Sequence, residues 1–280
     1  MAPTNPTFNP PPPHVDSHIL ISFPTPQILL VTLNRPRSMN CISNAAHAQL
    51  VQIWSWYDSI PSLRCAIITG AREGSRRPAF CAGQDLKEWQ ASADQGRPTG
   101  RVGGFAGLST RVGKKPVISA VHGICYGGGL EAAANTDLII AHRDSSFGLP
   151  ESARGVVAIA GVLPRIAVTV GLQRAGELAM TGRLLTAEDA KAWGLVNEVV
   201  EGDVVEAAVR WAQKICDQSP DSIIVSREGI RSVFSGDGVD EANRKIEEGS
   251  WVGLQEGENI KEGLKAFVEK REVRWVDSKL

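Results

Sequence analysis

Short apolar runs, separated by turn residues and helical segments, fill the first two thirds of the chain. Residues 18–36 hold two apolar runs on either side of a Pro-Thr-Pro turn, and this pattern predicts two paired strands. After Ser43, apolar side chains recur at helical spacing and predict a helix that ends before Pro61; they are Ala46, Leu50, Ile53, Trp54 and Tyr57. Three more apolar runs predict buried strands over residues 64–70, 115–121 and 137–142.

From about residue 172 onward the pattern is mainly helical. We predict helices over residues 176–183, 185–194, 203–218 and 239–270, and one further strand over residues 197–200. Strands that alternate with helices indicate a layered α/β fold. We therefore expect a core over residues 17–200 that holds the functional site, followed by a helical oligomerisation region over residues 201–277.

The composition argues against several classes of protein. The 280 residues are 42% hydrophobic and 22% charged, which is enough to build one large folded domain. The 30 basic and 31 acidic side chains leave a net charge of −1, without the basic excess typical of nucleic-acid binding. No apolar run approaches the roughly 20 residues that a membrane-spanning helix requires. The spacing of the five cysteines and five histidines favours neither a disulfide framework nor a metal site.

The two ends of the chain carry signals of their own. Six of the 16 prolines lie within the first 13 residues, and we predict a disordered tail over residues 1–16. This start lacks the charged and apolar regions of a signal peptide. The last three residues, Ser278, Lys279 and Leu280, form a peroxisomal targeting tripeptide. We therefore expect a peroxisomal protein recognised by the import receptor, with residues 271–277 exposed as a tail.

Two glycine-rich turns have a design that suits the binding of a negatively charged oxygen. In residues 80–88, and again in residues 123–131, small residues lead the chain into a helix. A helix start presents unpaired N–H groups and the positive end of the helix dipole. Two such starts that face one point would form a two-donor oxyanion hole. The alternative is that the glycines serve only tight turns.

Two glutamates near these turns are candidates for acid–base chemistry. Glu131 lies among small and apolar neighbours, and Glu151 follows the mostly apolar stretch 147–150. The pKa values of two partly buried carboxyls in one site split, which gives one acid and one base. Such a pair can add or remove water next to a carbonyl. The alternative is that each glutamate caps a helix or pairs with an arginine, namely Arg143, Arg154 or Arg165.

These segments, with several others in the same order, resemble the crotonase, or enoyl-CoA hydratase/isomerase, superfamily. The resemblance extends over roughly residues 19–274. The matching segments are Asn-Arg-Pro at residues 34–36, then residues 80–88, 115–131, 147–151, 181–196 and 262–271.

The resemblance implies a fold, an assembly and a site. The fold is α/β, a crotonase-like spiral of ββα units with a helical C-terminal region, assembled as a homotrimer or hexamer. The substrate is an acyl-CoA, with coenzyme A as part of the substrate and no prosthetic group. Gln84 and Gly128 hold the thioester oxygen. Glu131 acts as the base toward water, and Glu151 exchanges the proton at the α-carbon. Residues implied in binding the substrate are Arg35, Arg37, Ala82, Asp85, Leu86, Lys87 and Tyr126, with Phe267 and Lys270 from the C-terminal helix.

The presence of both glutamates favours a hydratase or dehydratase of 2-enoyl-CoA thioesters. A double-bond isomerase of the same fold is the first alternative, because one carboxylate suffices to move a proton. A CoA-thioester hydrolase uses the same oxyanion hole. An alternative from another class is a non-catalytic member that binds CoA or RNA.

Two features depart from the family pattern. Residues 155–165 are more apolar than is usual there and include Pro164. In the family this stretch borders the acyl pocket, so we expect either an open apolar wall that favours a longer chain or a filled pocket that selects a short or branched group. His122 stands where asparagine is common, either as a structural hydrogen-bond partner or in contact with the ligand.

Overall fold

The computed structural model describes residues 6–74, 76–85, 88, 90 and 102–280. Within this part of the chain the strands are β1 Ile19–Thr25, β2 Ile28–Leu33, β3 Cys65–Gly70, β4 Ala79–Cys81, β5 Val117–Val121, β6 Ile124–Tyr126, β7 Leu138–His142, β8 Ser146–Gly148, β9 Leu184–Thr186 and β10 Glu198–Val200. The helices are α1 Asn44–Ser59, α2 Gly128–Ala133, α3 Val162–Val170, α4 Leu172–Thr181, α5 Ala187–Ala192, α6 Val204–Cys216, α7 Pro220–Arg231, α8 Val239–Glu248, α9 Ser250–Glu256 and α10 Glu258–Glu269.

From β3 to β8, consecutive strands alternate between two sheets. A six-stranded sheet has the order β1-β2-β3-β5-β7-β10, and a four-stranded sheet has the order β4-β6-β8-β9. The β1–β2 and β8–β9 pairs are antiparallel, and the other pairs are parallel. Because β3, β5 and β7 are each followed by a strand of the second sheet, the chain winds as a spiral. The predicted α/β spiral of ββα units is confirmed.

Helix α1 forms as the sequence pattern predicts. The hydroxyl of Ser43 accepts a hydrogen bond from the N–H of Ala46 at 3.2 Å and caps the helix. The apolar face, which includes Leu50, Ile53 and Tyr57, is buried against the sheet core. This helix follows the loop at residues 34–42, so it fixes one side of the glycine-rich turn described below.

The six-stranded sheet buries both of its faces, which moves the boundary of the core. Alternate residues of β3 face two different clusters: Ala66 and Ile68 pack in the main core, while Cys65 and Ile67 pack in a second core. Helix α6 covers this second face and contacts β2, β3, β5 and β7. A division at residue 200 therefore does not match the structure, because α6 belongs to the core.

Residues 6–16 are packed on the protein rather than disordered. The ring of Phe8 is 8% exposed, and its centroid lies 4.7 Å from that of Phe23 and 5.4 Å from that of Trp56. The Trp56 indole N–H donates to the carbonyl of Pro10 at 2.9 Å. One aromatic side chain in a proline-rich stretch has no periodicity, so the local sequence pattern does not indicate this contact. The predicted tail over residues 1–16 is wrong for the part that the structure describes.

Two helices were not predicted from the sequence. Helix α3 contains Pro164 in its first turn, where a missing N–H costs no intrahelical hydrogen bond. Helix α7 begins at a Ser219 cap followed by Pro220, a start signal that the sequence does contain. Among the described residues, no helix is long and apolar enough to cross a membrane.

Candidate active site

The two glycine-rich turns meet at the start of α2. Ile42 pairs with the 83–85 turn: its N–H donates to Gly83 O at 3.0 Å, and its carbonyl accepts from Asp85 N at 3.1 Å. In a parallel pairing, neighbouring N–H groups along one strand point to opposite sides. The N–H of Gln84, which lies between the two bonded residues, therefore points away from Ile42. A Cβ added to Gly83 would lie 3.3 Å from the nitrogen of Gly128, so that side of the turn borders the start of α2. The two donors predicted for the oxyanion hole are thus brought together.

Only glycine fits at residue 128, for a reason that the sequence did not show. A Cβ at Gly128 would lie 2.7 Å from a ring carbon of Phe105, which is itself 5% exposed. The Phe105 ring therefore covers the start of α2 and leaves the Gly128 N–H in an apolar setting. A hydrogen bond to a developing negative charge is stronger in such surroundings than in water.

Glu131 follows Gly128 by one turn of α2, which turns its carboxyl into the protein. The side chain is 5% exposed, and its Oε1 accepts a hydrogen bond from the N–H of Ala160 at 2.7 Å. Burial raises the pKa of Glu131 from 4.5 to about 7; the Ala160 N–H opposes this rise, and the nearby Glu151 carboxylate adds to it. Near neutral pH this carboxyl is therefore poised between its acid and its base form.

Glu151 lies beside the same turn. A Cβ at Gly127 would fall 2.6 Å from Glu151 Oε1, so the carboxyl lies directly against the backbone that precedes α2. Its Oε2 is buried and has no hydrogen-bond partner among the described residues. Burial raises the pKa of Glu151, and Arg154 partly opposes this. The site therefore contains two carboxyls, one anchored and one with an oxygen left for a ligand.

The arginines proposed as alternative partners bond elsewhere. Arg143 pairs with Glu201, Arg154 donates to the carbonyl of Pro150, and Arg165 donates to the carbonyl of Ser109. The pairing alternative for the two glutamates is therefore not supported by the geometry.

The 105–110 segment packs tightly against the turn at residues 160–161, which is bonded to Glu131. The hydroxyl of Ser109 accepts from Phe105 N at 2.8 Å and donates to the carbonyl of Ala160 at 2.6 Å. Gly161 sits at φ +112°, and a Cβ there would lie 3.0 Å from a methyl carbon of Thr110. The 105–110 segment thus locks the 160–161 turn in the position from which Ala160 reaches Glu131.

The apolar stretch around this turn does not form a continuous wall. Ala158 and Val162 are buried, but Val157 is 64% exposed and Ile159 is 88% exposed. Both side chains project to the surface of the chain, because the turn needs Ala160 and Gly161 inward. An open apolar pocket built from the whole 156–163 stretch is therefore not what the structure shows.

Some residues predicted to bind CoA play a structural part here. The Arg35 guanidinium donates to Asp85 Oδ2 and to the carbonyl of Cys41, both at 2.9 Å. The N–H of Ala82 donates to Met39 O at 3.0 Å. These bonds tie the 82–85 turn to the loop before α1. Arg37 is exposed on this loop. Leu86 and Lys87 lie outside the described residues.

The remaining candidates are spread over the molecule. Tyr126 is half-buried, and its hydroxyl lies 2.9 Å from that of Ser146. Phe267 and Lys270 are exposed at the end of α10, and their binding role stays a prediction. His122 is buried with Nε2 2.7 Å from Gly70 O, and burial lowers its pKa to about 4. His122 is thus a structural partner of β3.

No cluster of three or more potential metal ligands occurs among the described residues.

Comparisons with known proteins agree with this geometry. Residues 25–278 match the family model described as enoyl-CoA hydratase/isomerase. The chain is 49% identical over 271 residues to a mevalonyl-coenzyme A hydratase of Beauveria bassiana, covering 93% of this chain and 95% of that protein. It is 46% identical over 263 residues to a protein of the same description from Aspergillus fumigatus, covering 93% and 96%. A crystal structure of an enoyl-CoA hydratase from Mycobacterium tuberculosis superposes with a TM-score of 0.83 at 34% identity, covering 94% and 100%.

The buried carboxyl of Glu131 predicts a stability that depends on pH. Its pKa in the folded protein, about 7, exceeds the ordinary 4.5, so the folded state binds the proton more tightly than the unfolded state. The resulting stability is complete below pH 4.5 and is lost as pH rises to about 7, an effect on the order of 3 kcal/mol. Glu131→Gln cannot ionise, so its stability relative to wild type should rise by that amount between pH 4.5 and pH 8.

Urea unfolding at the two pH values measures this change. The control is Glu247→Gln, which makes the same substitution on the exposed surface of α8. A difference between Glu131→Gln and wild type that stays constant with pH would contradict the raised pKa.

Proposed function

The chain belongs to the enoyl-CoA hydratase/isomerase family as a CoA-thioester hydratase, and we propose that it interconverts mevalonyl-CoA and its dehydrated 2-enoyl thioester through Glu131 and Glu151. The observation that carries the mechanism is the buried carboxyl of Glu131 and the half-buried carboxyl of Glu151 beside the two adjoining turns that hold Gln84 and Gly128. The likeness to mevalonyl-coenzyme A hydratases over almost the whole of both chains supports the substrate.

The proposed dehydration begins at the thioester. The N–H groups of Gln84 and Gly128 donate to the thioester oxygen, which stabilises negative charge as it develops there. The Glu151 carboxylate removes a proton from the α-carbon, and the electron pair delocalises onto that oxygen as an enolate. Protonated Glu131 then donates its proton to the hydroxyl at the β-carbon, and the C–O bond breaks to release water and form the conjugated double bond.

The protonation states favour this direction in the free enzyme. With its pKa near 7, Glu131 retains a proton in part of the molecules at neutral pH, as the acid of dehydration must. Glu151 ends the step with a proton and Glu131 without one, and exchange with solvent restores both. In hydration the steps run backwards: Glu131 is the base toward water, and Glu151 protonates the α-carbon.

The crowded wall supports a short, branched acyl group. The Phe105 ring lies over Gly128, and the turn at Ala160 is packed against the 105–110 segment. A mevalonyl group is short, with a methyl and a hydroxyl at the β-carbon and a second hydroxyl at its end. Crowding on this side of the site favours a short acyl group over a long chain.

Turnover of matched thioesters tests the proposal. We expect kcat/KM for dehydration of mevalonyl-CoA to exceed that for 3-hydroxybutyryl-CoA by at least about tenfold, because the latter lacks the branch and the terminal hydroxyl. Glu131→Gln and Glu151→Gln should each lower kcat by about 10²–10⁴-fold, since an amide cannot exchange the proton. The absorbance of the conjugated enoyl thioester follows the reaction.

The outcomes separate the substrate from the mechanism. Equal kcat/KM for the two thioesters would refute the mevalonyl substrate and leave the hydratase intact. Wild-type turnover in either glutamate variant would refute the two-carboxylate mechanism. Retained double-bond migration in Glu131→Gln would favour the isomerase alternative. Glu247→Gln serves as the control here too and should keep full turnover.

We also propose that the chain assembles as a homotrimer or hexamer. Leu264, Phe267 and Val268 occur at i, i+3 and i+4 on α10 and are all more than half exposed, which forms an apolar stripe. Sedimentation velocity at micromolar concentration should give three or six times 30.0 kDa. Phe267→Glu should dissociate the assembly, whereas Val239→Glu, an exposed valine on α8, should not. A wild-type particle of one chain mass would contradict the assembly.

We propose further that the tripeptide at residues 278–280 directs the protein to peroxisomes. A fusion with a fluorescent protein at the N-terminus should be punctate and should become cytosolic when the last three residues are removed. Activity in vitro should be unchanged, since the tripeptide is read as an address. A punctate signal that persists after truncation would contradict this localisation.

A further inference from the structure

The last ten residues of the chain, 271–280, lie along the C-terminal helices as an extended segment, which we name the strap. Most of residues 271–277 are exposed, as expected, and only Trp275 among them is half-buried. Ser278, the first residue of the tripeptide, is only 9% exposed. The strap begins where Arg271 forms a two-pronged ion pair with Glu262, at 2.6 and 2.8 Å. The N–H of Arg274 donates to the same carboxylate at 2.8 Å.

A buried asparagine holds the middle of the strap. Asn259, 2% exposed, accepts from Val276 N at 2.9 Å and donates to Val276 O at 3.1 Å, so it pairs with both main-chain groups of that residue. Its amide also donates to Asp221 Oδ2 at 2.8 Å, which fixes the orientation of the amide. Pairing of both backbone groups by one buried side chain is typical of a built peptide site.

Contacts on either side of Val276 extend this site to the core. The Trp275 indole donates to Asp217 O at 2.9 Å, and its ring lies against Gly263. Arg64, a buried residue before β3, donates to Trp275 O at 3.3 Å and lies 3.6 Å from the Asp277 carboxylate. The strap thus links α10 to the main sheet.

The targeting tripeptide itself takes part in this packing. Lys279 pairs with Glu258, and Lys114 donates to the main-chain oxygen of Leu280. The Leu280 side chain lies against Gly253, where a Cβ would be 2.6 Å from its methyl carbon. A receptor that reads a C-terminal tripeptide has to surround these same side chains and the terminal carboxylate.

We propose that docking of the strap holds the targeting tripeptide at its end against the protein, so that the import receptor binds only molecules in which the strap has been released. This proposal rests on the proposed peroxisomal localisation. Because only the released fraction is competent, the apparent dissociation constant of the folded chain is the intrinsic one divided by that fraction. The Asn259 pair and the Arg64 contacts keep that fraction small.

Binding to the tripeptide-binding domain of the import receptor tests the proposal by calorimetry. A synthetic peptide of residues 271–280 should bind at least about tenfold more tightly than the folded wild-type chain. Asn259→Ala removes the side chain that bonds Val276, and Val276→Pro removes the N–H that Asn259 accepts from. Each substitution should therefore bring the receptor affinity of the folded chain toward that of the peptide. A peptide carrying Val276→Pro controls for direct effects on the receptor, and Lys191→Ala is a control on an exposed lysine of α5.

Hydrogen exchange without the receptor separates the strap from the localisation. The Val276 amide should exchange at least about tenfold more slowly in the wild type than in Asn259→Ala, with circular dichroism confirming that the variant is folded. Unprotected exchange in the wild type, or equal receptor affinity for chain and peptide, would overturn the strap. A peptide that fails to bind the receptor would overturn the localisation and the receptor's dependence on strap release, while a slow Val276 amide would still support the docked strap.

Discussion

The carboxyl group of Glu131 is almost entirely withdrawn from water, and this burial is the constraint on which the site depends. Charging a carboxyl in such surroundings is unfavourable, and the N–H of Ala160 offsets that cost only in part, which leaves its pKa near 7. A solvated glutamate would stay ionised at neutral pH and could not serve as an acid. The same burial removes water that would otherwise weaken the donors of the oxyanion hole.

The fold places this carboxyl through backbone more than through side chains. Gly128 begins α2 at the end of β6, and the turn around Gln84 follows β4, the neighbouring strand of the smaller sheet. The two parallel strands thus deliver both N–H donors to one edge, with Glu131 one turn beyond. Ser109 and Arg165 then hold the turn that supplies the Ala160 N–H. Hydrogen bonds therefore connect the 105–110 segment, the turn at Ala160 and the Glu131 carboxyl in one chain.

Much of this could be predicted from the sequence, for identifiable reasons. Burial is indicated by the sequence alone in the apolar runs of β3, β5 and β7 and in the helical spacing of apolar residues in α1. Glycine-rich turns and glutamates among apolar neighbours suit oxyanion binding and acid–base chemistry better than most structural roles. Their order along the chain was therefore informative. The boundary of the core could not be predicted, because the apolar pattern of α6 would be the same whether the helix packed on the sheet or lay outside the core.

What could not be predicted depends on contacts between distant segments. The Ala160 N–H is a backbone group that any sequence would supply, and Phe105 was one aromatic residue without a periodic neighbour. Phe8 packs on Trp56 although 48 residues separate them by number. The polar sequence of residues 271–277 predicted their exposure, but no local pattern indicates that Asn259 bonds the main chain of Val276. In each case the partner is chosen by the fold and not by local pattern.

In the folded enzyme at neutral pH, Glu131 carries a proton in part of the molecules. Nuclear magnetic resonance of protein labelled with carbon-13 at the glutamate carboxyl follows its titration directly, and the signal missing from Glu131→Gln assigns it. We expect this carboxyl to titrate with a midpoint at about pH 7. A midpoint at its ordinary 4.5 would contradict this expectation and would leave the site without its acid.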